Sequence, residues 1–213
     1  MGGAHFLDND AFVAAGTRDV ARLIEHGLSP DSHLLDWGCG AGRLAIGVIE
    51  TWGGIGRYDG IDVQEELVRW ADRHVARGSI RFIHVDVANA RYNRDGSPER
   101  RIPGADSGYD AVYGYSVLSH MDSTEVAAYA REIRRLLRPG GFAWVTAFVE
   151  RGVPEESENP EGYGPIRWEG PLHCVRFEQG YLESLVGQAG LAVEHFEHGQ
   201  ETDGQSRYVL RRT

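Results

Sequence analysis

The stretch that decides the fold is LLDWGCGAG, residues 34–42. Apolar residues lead to Asp36, and three glycines follow in the turn that opens a helical segment. Glycine has no Cβ atom, so a ligand can approach the backbone of such a turn closely. The stretch therefore predicts a strand, a ligand-binding turn and the start of a helix.

Short apolar runs alternate with amphipathic stretches from this turn onward. Strands are predicted over 33–37, 57–61 and 80–85, and helices over 42–52 and 64–77. Strands that alternate with helices are typical of a parallel sheet with right-handed crossovers. The fold class predicted is α/β, with helices on both faces of the sheet.

The N-terminal residues 1–30 are predicted to form a helical cap. Val20, Leu23 and Ile24 share one helical face, with Thr17 as a capping residue at its start. The chain as a whole, 1–213, is expected to be a single domain.

The second half of the chain continues the pattern after a polar loop at 88–108. A strand at 109–115 precedes a helix that begins with the capping-box pair Asp122 and Glu125 and ends at the Pro-Gly-Gly of 139–141. A fifth strand at 142–148 leads to a long segment, 150–175, which is expected to be a lid rather than a packed element. A helix at 180–189 and strands at 191–197 and 206–211 predict an antiparallel C-terminal hairpin.

Composition narrows the range of functions. The formal net charge is −10 and 41% of residues are hydrophobic, which favours a globular protein and disfavours nucleic acid as a partner. Two cysteines, and no leader-like or long apolar run, predict a cytoplasmic protein without membrane association. The spacing of the His and Cys residues predicts no metal site.

Two further acids follow predicted strands, Asp62 after the second and Asp86 after the third. An acid in the position of Asp62 can accept hydrogen bonds from both hydroxyls of a ribose. Each acid could instead cap the next helix. The glycines also match the pattern G-x-G-x-x-A of dinucleotide-binding proteins, so these residues alone leave an NAD-dependent oxidoreductase open.

The order of motifs resembles that of class I methyltransferases that use S-adenosylmethionine (SAM). The similar pieces are LLDWGCGAG, YDGIDVQ, FIHVDVAN, YDAVYGYSVLSHM and LLRPGGFAWVTAF, which with the terminal helix and hairpin cover nearly the whole chain. The resemblance implies a Rossmann-like, seven-stranded, mostly parallel sheet with one antiparallel strand. It also implies SAM as cofactor and S-adenosylhomocysteine as product. Trp37 departs from the family, which more often has a smaller aliphatic residue before the first glycine.

The resemblance also assigns cofactor-binding residues. The glycines would shape the methionine side, Asp36 would orient the ammonium group or the loop, Asp62 would hold the ribose, and Asp86 with Val87 would frame the adenine. Tyr115 could contact the cofactor or the acceptor, or pack in the core. With it and Val63, the complete set of predicted cofactor-binding residues is Asp36, Gly38, Gly40, Gly42, Asp62, Val63, Asp86, Val87 and Tyr115.

Methyl transfer from a sulfonium mainly requires that the reacting atoms be held in line, so a catalytic base is optional. For a hydroxyl acceptor, His120 after the fourth strand is the preferred proton acceptor, and His173 in the long segment is a weaker candidate. His120 could instead cap the next helix or pack on the cofactor. The expected reaction is O-methylation of a small molecule such as a sugar or natural product. A non-catalytic partner protein with this fold is the remaining alternative, and a homodimer is left open.

Overall fold

The computed structural model describes residues 8–213, so the part of the predicted cap that falls on residues 1–7 lies outside the described residues. The helices are α1 Asn9–Glu25, α2 Arg43–Trp52, α3 Glu65–His74, α4 Ser123–Leu136 and α5 Gln179–Gln188. The strands are β1 His33–Trp37, β2 Arg57–Asp62, β3 Ile80–His84, β4 Tyr109–Gly114, β5 Leu137–Glu150, β6 Glu156–Glu158, β7 Val175–Glu178, β8 Leu191–Glu197 and β9 Ser206–Arg212.

The central sheet has the strand order β3-β2-β1-β4-β5, and all five strands are parallel. The antiparallel strand β9 pairs with β5, and β8 pairs with β9 at the edge. The predicted α/β fold class and its antiparallel C-terminal hairpin are confirmed. Because the five parallel strands point the same way, their carboxyl ends meet at one edge, where ligands bind in such sheets.

Two strands, β6 and β7, were not predicted, and β6 lies inside the segment 150–175 that was expected to contain no packed element. β7 pairs in parallel with Phe148, Val149 and Glu150, and β6 pairs antiparallel with β7. The strand β5 is 14 residues long, so its residues 142–147 pair with β9 and its last three residues pair with β7. The run Val175–Glu178 alternates buried and half-buried residues, but four residues are too short for that period to be recognised in the sequence.

Two predicted helix boundaries are also wrong. Asp8, not Thr17, caps α1, and its side chain accepts a hydrogen bond from the Asp10 amide at 3.0 Å. Thr17 lies inside the helix and its hydroxyl donates to the Val13 carbonyl. The helix α4 has the predicted capping box at Asp122 but ends at Leu136, before the Pro-Gly-Gly run, which belongs to the irregular start of β5.

The core consists of two apolar layers, one on each face of the sheet. Leu34 of β1 faces α1, α2 and α3, while Leu35 faces α4 and α5. The helices α1 and α2 cross so closely that a Cβ atom at Gly16 would lie 2.3 Å from the Arg43 carbonyl oxygen. In residues 8–213 we find no helix with the length and apolar character needed to cross a membrane.

Candidate cofactor and acceptor site

A cavity of about 830 Å³ opens at the carboxyl ends of the parallel strands. This is within the usual range of about 300–1,000 Å³ for small-molecule sites. One part of its wall, the glycine-loop side, comes from the ends of β1, β2 and β3: Gly38, Cys39, Gly40, Ala41, Ile61, Asp62, Val63, Gln64, Val85 and Val87. The other part, the aromatic side, comes from segments beyond the strands: Arg91, Tyr92, His120, Met121, Tyr129, Phe148, Trp168 and His173.

The glycine loop is tied to the end of β2 by its backbone. The amides of Gly38 and Cys39 donate to the Ile61 carbonyl at 2.8 and 3.0 Å, and the Gly40 amide donates to Asp62 Oδ2 at 2.8 Å. Gly40 has a φ of +51°, and a Cβ atom there would meet no described atom within 4 Å. This open space in the cavity wall is a cradle in which a ligand can lie against the backbone.

The other two glycines of the loop serve packing. A Cβ atom on Gly38 would lie 2.5 Å from a methyl carbon of Val117, and one on Gly42 would lie 2.9 Å from the Phe82 ring. Gly42 is the N-cap of α2 and does not belong to the cavity wall, whereas Gly38 does. The structure therefore brings two of the three predicted glycines to the cavity.

Asp36 and Asp62 both line the cavity and are nearly inaccessible, at 2% and 8% exposure. Asp62 accepts from the Gly40 amide through one oxygen and from the Gln64 amide, at 2.8 Å, through the other. The Tyr58 hydroxyl donates to Asp36. Burial raises the pKa of Asp62 above its usual value and that of Asp36 to about 7. Each carboxylate oxygen has a second lone pair, so both acids can still accept from ligand donors.

The structure does not bring the third predicted acid to the cavity. Asp86 is exposed and accepts a hydrogen bond from Asn93 Nδ2 at 2.9 Å, outside the cavity wall. Val87, 6% exposed, lines the wall together with Val85. Among the described residues, the end of β3 thus offers the cavity an apolar surface and its backbone.

Tyr115 lies on the wall just after β4, as predicted for the set of cofactor contacts. Its hydroxyl is 2.7 Å from Thr202 Oγ1, and its ring stacks on Trp144 with 5.9 Å between centroids. The guanidinium carbon of Arg43 lies 4.9 Å from the centre of the same ring. The ring is therefore held by both contacts, and burial raises the pKa of its hydroxyl.

Beneath the adjacent Ser116 lies a polar network that the sequence did not reveal. Ser116 has a φ of +58°, and its amide donates to Thr146 Oγ1 at 2.7 Å. Gln205 donates to Ser116 Oγ and accepts from Thr146 Oγ1, both at 2.7 Å. These bonds join the ends of β4, β5 and β9, and they hold a backbone conformation that costs about 1–3 kcal/mol outside glycine. The network could not be recognised from the sequence because Gln205 is distant in sequence from Ser116 and Thr146.

His120 lies on the aromatic side, and its Nδ1 is 2.9 Å from the Leu172 carbonyl oxygen. A carbonyl oxygen can only accept, so Nδ1 bears the proton and the lone pair is on Nε2. Burial lowers the pKa of His120 to about 4, which keeps the ring neutral at neutral pH. Asn89, another residue that the sequence did not single out, donates to the His120 carbonyl at 3.1 Å.

His173 lines the same side of the cavity in the opposite tautomer. Its Nδ1 accepts from the Glu169 amide at 2.9 Å, so its proton is on Nε2. Its ring meets the edge of Trp168 at 5.2 Å between centroids, and burial lowers its pKa. As placed, His120 is the better proton acceptor and His173 the better hydrogen-bond donor.

Trp37 lies on the cavity wall and packs there against another aromatic ring. Its side chain is 6% exposed and contacts the Tyr129 ring at 4.8 Å between centroids. Within the described part of the chain no group of three or more His, Cys, Asp or Glu side chains could hold a metal ion.

The profile of the family described as "Methyltransferase domain" matches residues 34–141, just over half of the chain. The chain belongs to this methyltransferase family. The match covers the glycine loop, Asp62 and His120, so the resemblance noted from the sequence motifs is confirmed, and with it SAM as the cofactor.

Curated relatives of this chain include proteins named as methyltransferases. The chain is 28% identical to the methyltransferase GfsG of Streptomyces halstedii over 148 residues, 69% of this chain and 49% of that protein. It is 31% identical to the O-methyltransferase resE of Aspergillus sclerotiorum over 181 residues, 84% of this chain and 61% of that protein. The chain spans about half the length of the first curated relatives that it matches.

Solved structures agree with the fold. A SAM-dependent methyltransferase from Methanosarcina mazei superposes with a TM-score of 0.62 at 18% identity, over 89% of this chain and 96% of that one. The magnesium protoporphyrin IX methyltransferase of Synechocystis PCC 6803, solved with bound S-adenosylhomocysteine, gives a TM-score of 0.62 at 17% identity over 99% and 90% of the two chains. At these identities the structures establish the fold alone.

Proposed function

We propose that this methyltransferase transfers the methyl group of SAM to a hydroxyl group of a small molecule such as a sugar or natural product. The observation that carries the proposal is the tautomer of His120. Its Nδ1 bond to the Leu172 carbonyl leaves an unprotonated Nε2 in the same cavity as the glycine loop and Asp62. A neutral imidazole in that position can accept a hydroxyl proton.

The residues of the glycine-loop side fit the cofactor. Gly40 offers an open backbone cradle, Asp62 has lone pairs free for the ribose hydroxyls, and Val87 offers an apolar surface to the adenine. Asp36 is placed to receive the ammonium group, whose positive charge favours its ionised form. When bound, SAM supplies a methyl group activated by a sulfonium. Asp86 is the predicted contact that this arrangement supports least.

The chemistry required of His120 is modest. As the acceptor oxygen bonds to the methyl carbon, its O–H becomes strongly acidic, so even an imidazole with a pKa near 4 can take that proton. The proton moves from the acceptor oxygen to Nε2 and then to solvent. Binding that holds the hydroxyl in line with the methyl group contributes the rest of the rate.

The relatives support this choice of reaction without establishing it. One is named an O-methyltransferase, and membership in the methyltransferase family argues against the NAD-dependent alternative. The single-domain organisation, the helical cap, the lid at 150–175, the homodimer and the absence of nucleic-acid partners stay predictions.

The test begins with calorimetric titration of the protein with S-adenosylhomocysteine, followed by mass-spectrometric screening of hydroxylated acceptors with SAM. His120→Ala is expected to lower turnover about 100-fold, the usual scale for a general base, with unchanged affinity for S-adenosylhomocysteine. His74→Ala, at an exposed position on α3, is the matched control. Equal turnover of the two variants would remove the base from the proposal, and methylation confined to nitrogen or carbon would overturn the hydroxyl acceptor.

A further inference from the structure

Arg91 is a cation on the cavity wall that has no counter-charge within 4 Å among residues 8–213. It lies in the connector between β3 and β4, and its Nη1 donates to the Glu169 carbonyl at 3.3 Å. Its Nε is buried and has no hydrogen-bond partner among the residues described. In residues 8–213 no carboxylate lies within ion-pair distance of Arg91, so its charge is left for a ligand.

Three carboxylates in this region are engaged elsewhere, and a fourth, Asp203, lies on the same cavity wall near His173. Glu125, on the same cavity wall, accepts from Arg100 at 2.7 Å and closes the capping box of α4. Glu169 holds Arg167 at 3.1 Å, and Asp86 accepts from Asn93. An arginine presents its donors as a planar fork that matches a carboxylate in two parallel hydrogen bonds. The aromatic side therefore has the features of a site for a carboxylate.

Aromatic rings line the same cavity as this arginine. Tyr92 meets His120 edge-on at 5.3 Å, and Trp168 meets both Phe148 and His173 edge-on at 5.2 Å. These rings form apolar walls that suit a flat acceptor. Burial is the main reason that the pKa values of His120 and His173 are lowered, and the charge of Arg91 adds to it. The guanidinium is thus close to both imidazoles.

We propose that Arg91 binds a carboxylate of the acceptor, and that the acceptor is an aromatic hydroxy acid. This rests on the proposed function for the site as an acceptor pocket. The carboxylate pairs with the guanidinium, the ring lies between the aromatic walls, and the hydroxyl reaches His120 Nε2. A bound carboxylate also cancels the charge that disfavours protonation of His120, so the acceptor itself makes the base stronger.

The experiment measures binding rather than turnover. 4-Hydroxycinnamate and its uncharged amide are titrated calorimetrically into the protein, with and without saturating S-adenosylhomocysteine. The acid is expected to bind at least tenfold more tightly than the amide. Arg91→Gln is expected to bring the affinity for the acid down to that for the amide. Arg94→Gln is the matched control, since Arg94 is exposed on the same connector and donates to the Ala90 carbonyl away from the wall.

A second variant, Arg91→Lys, keeps the proposal testable if Arg91→Gln fails to fold. Arg91→Lys keeps the charge and loses the fork, so the acid is expected to bind three- to fivefold less tightly than to the wild type and still more tightly than the amide. Equal affinity of the wild type for acid and amide, no binding of either, or an unchanged affinity of Arg91→Gln for the acid would each overturn the proposal. Failure of S-adenosylhomocysteine to bind would instead refute the proposed function, and the titrations without it still test Arg91.

Discussion

The two sides of the cavity are built in different ways. On the glycine-loop side, the chain between β1 and α2 is bonded to the end of the neighbouring strand β2 through Ile61 and Asp62. On the aromatic side, three segments that are distant in sequence meet outside the sheet. They are joined by single contacts, such as His120 with the Leu172 carbonyl and Arg91 with the Glu169 carbonyl.

This difference separates the part of the site that would bind the cofactor, which the fold fixes, from the part that would select the acceptor. The register of the sheet fixes the hydrogen bonds between adjacent strand ends. The glycine-loop side therefore cannot change unless the fold changes as well. The contacts of the aromatic side cross between loops, which tolerate changes in sequence and length. We infer that cofactor binding and acceptor binding can be damaged separately, and the following variants test this separation.

The largest effect is expected from Asp62→Ala. The change leaves the Gly40 and Gln64 amides without an acceptor, at about 1–3 kcal/mol each, and removes the proposed ribose contact. Affinity for S-adenosylhomocysteine, measured by calorimetry, should fall about 100-fold or more, which corresponds to about 2.7 kcal/mol. Asp86→Ala is the control and should change it less than about threefold, because Asp86 lies outside the wall. Similar losses in both variants would place Asp86 back among the cofactor contacts.

The second-largest effect is expected from Gly16→Ala, which changes the packing of α1 against α2 behind the glycine-loop side. Gly16→Ala would place a methyl group 2.3 Å from the Arg43 carbonyl oxygen, so α1 must move away from α2. We expect a loss of about 1–3 kcal/mol in the free energy of unfolding, measured with urea, because overpacked contacts cost that much. Gly187→Ala in α5 meets no described atom within 4 Å and should be neutral or stabilising by about 0.5–1 kcal/mol. Equal stabilities would show that α1 adapts without strain.

Much of the fold could be predicted because its signals are local. The run 33–37 and the run 191–197 are strands with the predicted bounds, and the capping box at Asp122 was visible as a pair three residues apart. The strands β6 and β7 could not be predicted because they depend on an unusually long β5 that offers them a partner. Thr17 misled because a capping residue type can equally lie inside a helix and bond to the preceding turn.

The candidate site shows the same division. Of the predicted cofactor-binding residues, seven line the cavity, namely Asp36, Gly38, Gly40, Asp62, Val63, Val87 and Tyr115, and two, Gly42 and Asp86, do not. His120 and His173 reach the cavity, yet nothing in the sequence distinguished their tautomers, which depend on Leu172 and Glu169. Arg91 could not be identified as a site residue from the sequence, because what marks it is the lack of a carboxylate partner among the described residues. This lack can be recognised only in the folded protein, where the three segments have come together.

The two sides should also respond to pH with opposite signs. His120 has a pKa of about 4 in the folded protein against 6.5 unfolded, so the unfolded chain binds more protons between these values and stability falls on acidification. Asp36 has a pKa of about 7 against 3.8, so stability falls as pH rises from about 4 to 7. Relative to the wild type, His120→Gln should gain about 1–3 kcal/mol in the free energy of unfolding between pH 7 and pH 4. Relative to the wild type, Asp36→Asn should instead gain free energy of unfolding as the pH rises from about 4 to 7. Urea titrations across this range measure both, and slopes of the same sign would contradict the assignment.

The smallest effect concerns how the aromatic side is closed. Asn159, with a φ of +46°, accepts from the Cys174 amide at 2.9 Å and donates to the Gly170 carbonyl at 2.7 Å. Asn159→Ala removes both bonds, so the segment 160–173 should open more often, and amide hydrogen exchange at Cys174 should become about tenfold faster, equivalent to about 1.4 kcal/mol. Asn159→Asp, which keeps the acceptor for the Cys174 amide, should exchange at close to the wild-type rate.

Affinity for S-adenosylhomocysteine should not change in Asn159→Ala, because no bond of Asn159 reaches the glycine-loop side in the part of the chain that is described. If Asn159→Ala lowered both the affinity for S-adenosylhomocysteine and the protection of the Cys174 amide from exchange, the segment 160–173 would have to cover the cofactor as well as the acceptor. The two sides would then share one closure, and Arg91, which holds Glu169 within that segment, would couple them. Faster exchange with unchanged affinity would instead mean that the segment belongs to the acceptor alone, as its His120 and Arg91 contacts indicate.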